Sequence, residues 1–261
     1  DAYTYYTLAS PRIASNTDQV KTPGTTFYGH DGSEFQNAYA FAVLKSDGTL
    51  DIWGDVNNGG DASSVSSNLS SVEAIYSNQK SFAAQKTDGS VIVWGNPDAG
   101  GDLGVAASKL NGEIDVTNVA STKSAYAALR EDGSVVTWGS PGAGGNFTEA
   151  ESRNDIVKLY SNSNAFAALS SAGEIITWGQ SAFGGDGNPT GQVASEIFID
   201  IFSTASAFAA IKSDGSVFTW GNAIDGGDSS LVAEELNGAV DITSISSTTS
   251  AFAALKSDGS V

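Results

Sequence analysis

The chain has 261 residues, 40% of them hydrophobic, which is enough for one large domain with a core of its own. Its 30 acidic residues outnumber 12 basic ones, and the formal net charge of −18 disfavours binding to nucleic acid or to anionic membranes. The absence of cysteine excludes disulfides and thiolate chemistry, and no apolar run approaches the roughly 20 residues that span a bilayer.

The N-terminal part, residues 1–37, matches the rest of the chain poorly, although residues 2–6 read Ala-Tyr-Thr-Tyr-Tyr, a good strand sequence. The single histidine, His30, is interpreted as a turn residue, and a role as a catalytic base is the alternative. A chain that starts at Asp1, without an initiator methionine or a signal peptide, indicates a processed, secreted or fragmentary product. Together with the acidic composition, this favours an extracellular or cell-surface location.

A repeat of 40 to 44 residues follows, with copies at about 38–80, 81–124, 125–164, 165–206 and 207–250 and a partial copy at 251–261. One stretch reads Ala-Phe-Ala-Ala-Ile-Lys-Ser-Asp-Gly-Ser-Val-Phe-Thr-Trp-Gly, from Ala207 to Gly221. Asp-Gly suits a two-residue hairpin between two strands, and the apolar run that ends at Phe202 supplies a third strand. With 30 glycines and only 5 prolines, each repeat is predicted to be a small antiparallel meander, and the chain to be all-β.

A meander of this size cannot bury both faces alone, so neighbouring repeats are expected to stack around an axis as a β-propeller of about six blades. The order of the motifs, an Asp-Gly hairpin, a Trp-Gly strand end and a glycine-rich loop, resembles the RCC1 (regulator of chromosome condensation) family. The resemblance covers the chain from about Phe35 to Val261, and residues 1–261 are predicted to form a single domain with a divergent N-terminal segment at residues 1–37. It implies an RCC1-like propeller, a fold whose members include exchange factors and a propeller-type β-lactamase inhibitor.

The sixth copy stops at Val261, before its Trp-Gly strand. We therefore predict that residues 2–6 pair with the strand within 251–261, which would close the ring and remove exposed strand edges. The alternative is that the natural chain continues past Val261.

The repeated aromatic and basic residues are interpreted as structural. The tryptophans are predicted to be buried between blades rather than to line a stacking platform for a ligand, and they are Trp53, Trp94, Trp138, Trp178 and Trp220. The basic residues before the hairpin turns are interpreted as solvated side chains rather than a functional ring, and they are Lys45, Lys86, Arg130, Lys212 and Lys256.

The glycine-rich loops after Trp-Gly vary in length and chemistry, so they are the predicted binding surface. Its acidic residues are Asp61, Asp98, Asp102, Asp186, Asp225 and Asp228. Oxygen ligands on flexible loops also suit calcium, and the candidate ligands are Asp55, Asp61, Asn222, Asp225 and Asp228. The alternative is that each of these side chains caps a turn, with no metal bound. A second candidate surface, at residues 78–80 and 162–164, is expected on the opposite face of the ring.

The sequence favours a non-catalytic recognition module of a secreted or surface protein, with a protein or a glycan as the partner. One alternative is a regulator or propeller-type enzyme inhibitor, and another is an enzyme with its site in the axial channel. A single histidine and no cysteine nearly exclude a zinc site. No glycine-rich phosphate cradle opens a long helix, so no catalytic residue is assigned.

Overall fold

The computed structural model describes residues 35–147, 152–186 and 196–261, together with the backbone of residues 19–21. The predicted strand at residues 2–6 and His30 lie outside the described residues. The strands are β1 (Gln19–Lys21), β2 (Ala40–Leu44), β3 (Leu50–Gly54), β4 (Val72–Ser77), β5 (Ser81–Lys86), β6 (Val91–Gly95), β7 (Val116–Ser121), β8 (Ala125–Arg130), β9 (Val135–Gly139), β10 (Ile156–Ser161), β11 (Ala165–Ser170), β12 (Ile175–Gly179), β13 (Phe198–Ser203), β14 (Ala207–Lys212), β15 (Val217–Gly221), β16 (Ile242–Ser247) and β17 (Phe252–Lys256).

Short 3-10 helices are the only helices among the described residues. They are Val56–Asn58, Ser63–Asn68, Pro97–Ala99, Gly104–Lys109, Pro141–Ala143, Ser181–Phe183, Ala223–Asp225 and Ser230–Glu235. None of them has the length and apolar character of a bilayer-spanning helix. The expected all-β class is confirmed for this part of the chain.

The described strands form six antiparallel sheets. Five have three strands in sequence order, β1-β2-β3 through β13-β14-β15, and the last contains β16 and β17. The second and third strands of each three-stranded sheet are joined by a hairpin at the predicted Asp-Gly or Ala-Gly position, in which the glycine has a positive φ, as in Gly89 at 76°. The prediction of a two-residue turn is wrong, because the Lys86 N–H donates to the Ser90 carbonyl at 2.9 Å and three residues lie between this pair. In the hairpin register each repeat aromatic lies opposite its Trp, for example Phe208 opposite Trp220.

The sheets follow one another through their first strands. Contacts run from β1 to β4, from β4 to β7, from β7 to β10, from β10 to β13 and from β13 to β16. The hydrophobic core is accordingly divided into clusters between consecutive sheets, and one of them joins Val91 and Val93 of β6 to Tyr126 and Trp138 of the next sheet. This succession of stacked meanders is the blade arrangement of a β-propeller.

Candidate functional site

The end of the sheets where the Trp-Gly strands finish will be called the Trp-Gly face. It comprises the 3-10 turns at residues 55–58, 96–99, 140–143, 180–183 and 222–225 and the connections between first and second strands. The two sets of loops are in contact, because the backbone N–H of Asn96 donates to the Lys80 carbonyl at 3.0 Å and that of Asn222 to the Ser206 carbonyl at 2.9 Å. The loops that follow the Trp-Gly strands thus lie on the same side of the molecule.

The connections between first and second strands are fixed by a buried Asn or Thr. The Asn78 amide donates to the Ala99 carbonyl at 2.6 Å, and the Asn162 amide donates to the Phe183 carbonyl at 2.7 Å. Thr204 makes the same contact with the Asp225 carbonyl at 3.0 Å. The expectation of a second binding surface at residues 78–80 and 162–164 on the opposite face is therefore wrong, because these residues lie on the Trp-Gly face and Asn78 and Asn162 are buried.

Both glycines of each Gly-Gly pair have a structural role. A Cβ on Gly100, whose φ is +91°, would lie 2.8 Å from the Tyr126 ring of the next sheet. A Cβ on Gly101 would lie 2.4 Å from the carbonyl carbon of Gly95. The pair is therefore required for packing the loop against its own strand and against the following blade.

The predicted acidic surface lies in and directly after these turns. Asp55, Asp61, Asp98, Asp102, Asp186 and Asp228 are exposed, and Asp225 is half-buried. Asp61, Asp102 and Asp228 follow the glycine pairs and accept hydrogen bonds from backbone N–H groups two residues on, at 2.8, 2.9 and 2.9 Å. The backbone and hydroxyl donors of Ser63 and Ser230 hold the pKa values of Asp61 and Asp228 below their usual range. The lowered pKa values keep Asp61 and Asp228 charged at neutral pH.

The calcium hypothesis gains no support from this geometry. Asp55 and Asn222 accept from the N–H groups of Asn57 and Ile224 at 3.0 and 2.9 Å, and Asp225 accepts a hydrogen bond from the Ser206 hydroxyl. Within residues 35–147, 152–186 and 196–261, no three His, Asp or Glu side chains converge as metal ligands would. The capping alternative accounts for the observed partners of Asp55, Asp61, Asn222 and Asp228.

The turns also carry a position at which sequence reasoning singled out only Asp98. The middle residue of each short 3-10 helix is exposed in all five turns, and it differs every time: Asn57, Asp98, Gly142, Ala182 and Ile224. These residues will be called the tip residues. Aligning the loops on Trp-Gly would have revealed them, because the position lies four residues after each Trp-Gly tryptophan.

Burial of the tryptophans is confirmed for four of the five. Trp94, Trp138, Trp178 and Trp220 are between 2 and 6% exposed, and each stacks on the aromatic opposite it. For Trp53 the prediction is wrong, since the side chain is 48% exposed although it stacks on its own partner at 5.1 Å. Its exposure follows from its place in the first described sheet, where no Gly-Gly turn of a preceding described repeat covers the ring.

The opposite end, the Asp-Gly face, comprises the hairpin turns and the starts of the first strands. Its basic residues form ion pairs, and the interpretation of them as solvated is wrong for four. Lys86, Arg130, Lys212 and Lys256 have side chains only 13 to 18% exposed. Their partners include Asp88 at 3.1 Å and Glu196 at 2.8 Å, whereas Lys45, paired with Asp51 at 2.7 Å, is 39% exposed.

The first strands, which follow one another through the molecule, carry one polar cluster. The Tyr160 hydroxyl donates to Asp200 at 2.6 Å, and the Lys158 ammonium lies 3.3 Å from the same carboxylate oxygen. Lys158 and Tyr160 thus both contact the carboxylate of Asp200.

Together, the meander blades, the Trp-Gly strand ends and the loops gathered on one face define a propeller of the RCC1 type. The comparisons with solved structures agree with this fold. Yeast RCC1 (Prp20), solved bound to Kap60, aligns with a TM-score of 0.53 at 14% identity over 86% of this chain. The ectodomain of the Physcomitrella patens receptor kinase CR4 aligns with a TM-score of 0.50 at 16% identity over 89%.

A structure of Prp20p from Saccharomyces cerevisiae, described with its binding properties to Gsp1p and histones, has a TM-score of 0.48 at 14% identity over 72% of this chain. The chain spans 67, 60 and 56% of the lengths of these three structures. No protein-family model and no curated protein sequence matches the chain.

Proposed function

We propose that this protein is a non-catalytic interaction module that binds a protein partner through its Trp-Gly face. The observation that carries the proposal is the contrast within each loop. The buried Asn or Thr that holds each turn, the glycine pairs and the stacked tryptophans repeat from blade to blade. The five exposed tip residues, in contrast, all differ. A rigid scaffold that presents variable side chains on one face is the usual arrangement of a recognition surface.

The charge of that face favours a cationic partner. Exposed carboxylates follow the turns at Asp61, Asp102 and Asp228, and the whole chain carries a formal charge of −18. Such a field steers a basic protein toward the surface and weakens with added salt. We propose a protein rather than a glycan, because only the first of the described blades exposes its Trp, and a repeated stacking platform is lacking there.

The test is binding of lysozyme, a basic protein, by the triple variant Asp61→Asn, Asp102→Asn and Asp228→Asn. Asparagine keeps the capping oxygen and removes the charge. The matched control is Glu73→Gln, Glu113→Gln and Glu131→Gln, which neutralises three exposed acids at the Asp-Gly face. We expect affinity at low salt to fall about tenfold in the first variant, with a shallower salt dependence, and clearly less in the control. Equal effects in the two variants would place recognition elsewhere.

The RCC1-type fold supports a second candidate, a protein-binding regulator. Its support is that yeast RCC1 was solved in complex with another protein, Kap60. Both candidates require a protein partner, and neither depends on a bound cofactor. Three further points stay predictions: the binding of calcium, an extracellular or cell-surface location, and closure of the six sheets into one ring. Adding calcium or a chelator to the lysozyme assay tests the first of these.

A further inference from the structure

One part of the Trp-Gly face differs from the rest in charge. The three-residue connections that lead into the second strands will be called the hub, which comprises residues 37–39, 78–80, 122–124, 162–164, 204–206 and 248–250. These residues include no acid and two lysines, Lys80 and Lys123, although the chain has 30 acidic and only 12 basic residues. The exposed carboxylates of this face lie in and after the turns that follow the Trp-Gly strands.

The hub is held together by a chain of backbone hydrogen bonds. The N–H of the middle residue of each connection donates to the carbonyl of the middle residue of the next one, at distances of 2.8 to 3.3 Å. The donors and acceptors are, in order, Ala38 to Gln79, Gln79 to Lys123, Lys123 to Ser163, Ser163 to Ala205 and Ala205 to Thr249. Lys80 and Lys123 therefore lie on adjacent, directly bonded connections. Because a lysine ammonium ends a flexible four-carbon stem, both charges can reach one ligand.

The two lysines are not neutralised within the described part of the chain. Lys80 is exposed and Lys123 is half-buried, and neither ammonium forms an ion pair or a hydrogen bond with a described residue. The basic residues of the Asp-Gly face do form ion pairs, for example Lys86 with Asp88 at 3.1 Å. Two unpaired cations on neighbouring connections make this part of the hub a local site for a negative group in a strongly acidic protein.

The fifth sheet shows a carboxylate bound at an equivalent hub position. Ser206 is the last residue of its connection, as Lys80 is, and its hydroxyl donates to the carboxylate of Asp225, the last residue of the adjacent turn. The corresponding turn residues beside the two lysines are Ala99 and Ala143, which have no carboxylate. Lys80 thus occupies a position that binds an acid of the chain itself in the fifth sheet, but its own turn supplies no acid there.

We propose that the hub binds a carboxylate side chain of the protein partner through Lys80 and Lys123, while basic residues beside that carboxylate contact the surrounding aspartates. This inference rests on the proposed binding function of the Trp-Gly face and adds the charge pattern of the partner. The turn that carries Asp98 is fixed to the same connection, because the Asn96 N–H donates to the Lys80 carbonyl at 3.0 Å. A basic residue two positions from the acid, on the same side of an extended segment, is therefore suited to Asp98. A free anion lacks such basic residues, and the net charge of the chain opposes its approach.

The test compares two capped synthetic peptides, Lys-Lys-Gly-Glu-Gly-Lys-Lys and the same peptide with Gln in place of Glu. The Gln peptide carries one more net positive charge, so the overall field of the chain alone favours it. We expect the wild-type protein to bind the Glu peptide at least about threefold more tightly at low ionic strength, because the two lysines attract the carboxylate. This order is the reverse of the one that net charge gives, and isothermal titration calorimetry measures both affinities.

Two double variants locate the effect. Lys80→Gln, Lys123→Gln removes the charges of the hub and should reverse the preference, so that the Gln peptide binds more tightly. The matched control Lys45→Gln, Lys86→Gln removes two charges at the Asp-Gly face and should keep the wild-type order. Tighter binding of the Gln peptide by the wild-type protein, or an unchanged preference in the hub variant, would overturn the proposal.

The triple variant Asp61→Asn, Asp102→Asn, Asp228→Asn separates this result from the proposed function. It should weaken the binding of lysozyme and of both peptides, because all three are cationic, and it should leave the preference for Glu in place. If the wild-type protein binds lysozyme but not the Glu peptide, the inference about the hub is wrong and the proposed function stands. If it binds neither lysozyme nor the peptides, both proposals are wrong.

Discussion

At the scale of single residues, the five tryptophans occupy equivalent positions in very different surroundings. Trp138 is 2% exposed and lies between Tyr126 and the Gly100 turn of the preceding repeat, whereas Trp53 is 48% exposed with the same kind of stacked partner. The difference lies in the neighbouring blade rather than in the strand itself. Substituting Trp138 and Trp53 therefore compares a buried and an exposed Trp that have the same stacked partner within their own sheet.

Trp138→Ala should lower the free energy of unfolding by about 3–5 kcal/mol, the usual cost of deleting a fully buried large side chain. Trp53→Ala should cost clearly less, because half of its surface is already in water. Urea unfolding followed by circular dichroism measures both values. Similar losses for the two variants would mean that Trp53 is covered in solution.

The indole N–H groups provide a second comparison. Trp94, Trp138 and Trp220 donate to a glycine carbonyl of the preceding repeat, at 3.0, 3.2 and 3.2 Å. Among the described residues the buried Trp178 N–H has no hydrogen-bond partner, and its ring lies between Phe147 and Phe166. A buried donor without a partner is destabilising by itself.

Trp178→Phe should therefore cost less than Trp138→Phe, by about 1 kcal/mol. The first change removes an unsatisfied donor, whereas the second leaves the Gly100 carbonyl without its partner. The measurement is the difference in urea midpoints at constant m-value. If Trp178→Phe proved the more damaging change, its N–H would have to find a partner in solution.

At the scale of elements, the hairpin turns combine two local interactions. In each Asp-Gly turn the Asp accepts hydrogen bonds from the backbone N–H and the hydroxyl of the Ser or Thr two residues on, as Asp88 does from Ser90 at 3.1 and 2.5 Å. The Ser90 hydroxyl, the Ser90 N–H and Lys86 together lower the pKa of Asp88 from 3.8 to about 2. The contribution of this turn to the stability of the folded state therefore depends on pH.

Because the pKa of Asp88 is lower in the folded state, its contribution to stability is fully present above pH 3.8 and is lost as the pH falls toward 2. Asp88→Asn, which keeps the acceptor oxygen, should reduce the loss of stability between pH 6 and about pH 2.5. Ser90→Ala should reduce it as well, since it removes the strongest of the three interactions. Urea unfolding at the two pH values is the measurement, and an unchanged pH dependence in both variants would contradict the assignment.

The sequence predicted the elements well because their signals are local. The Asp-Gly dipeptides, the alternation around them and the Trp-Gly pairs define hairpins without reference to the rest of the chain. It predicted the site less well, because the roles of Asn78 and of the Gly-Gly pairs depend on contacts with residues about 20 positions away or in the next sheet. Likewise, the exposure of Trp53 depends on a neighbour that no local pattern reveals.

At the scale of the whole molecule, the main electrostatic feature is the excess of acidic over basic residues. The chain has 30 acidic and 12 basic residues, so at least 18 acids have no basic residue of their own. The basic side chains of the Asp-Gly face are already engaged in ion pairs, for example Lys212 with Glu196 at 2.8 Å. Net repulsion among the remaining carboxylates opposes the compact state, while added salt weakens both the repulsion and the ion pairs.

The excess of unpaired acids decides which of these two effects of salt is larger. At pH 7 the melting temperature should rise by several degrees between about 20 and 500 mM NaCl, because screening relieves repulsion across the whole surface whereas exposed ion pairs contribute little. Near pH 4.1, the isoelectric point expected from the sequence, the net charge vanishes and the rise should disappear. Scanning calorimetry at the two pH values measures the effect, and KCl at equal ionic strength controls for specific binding of sodium. A melting temperature that falls with salt at pH 7 would show instead that the ion pairs of the Asp-Gly face outweigh the repulsion.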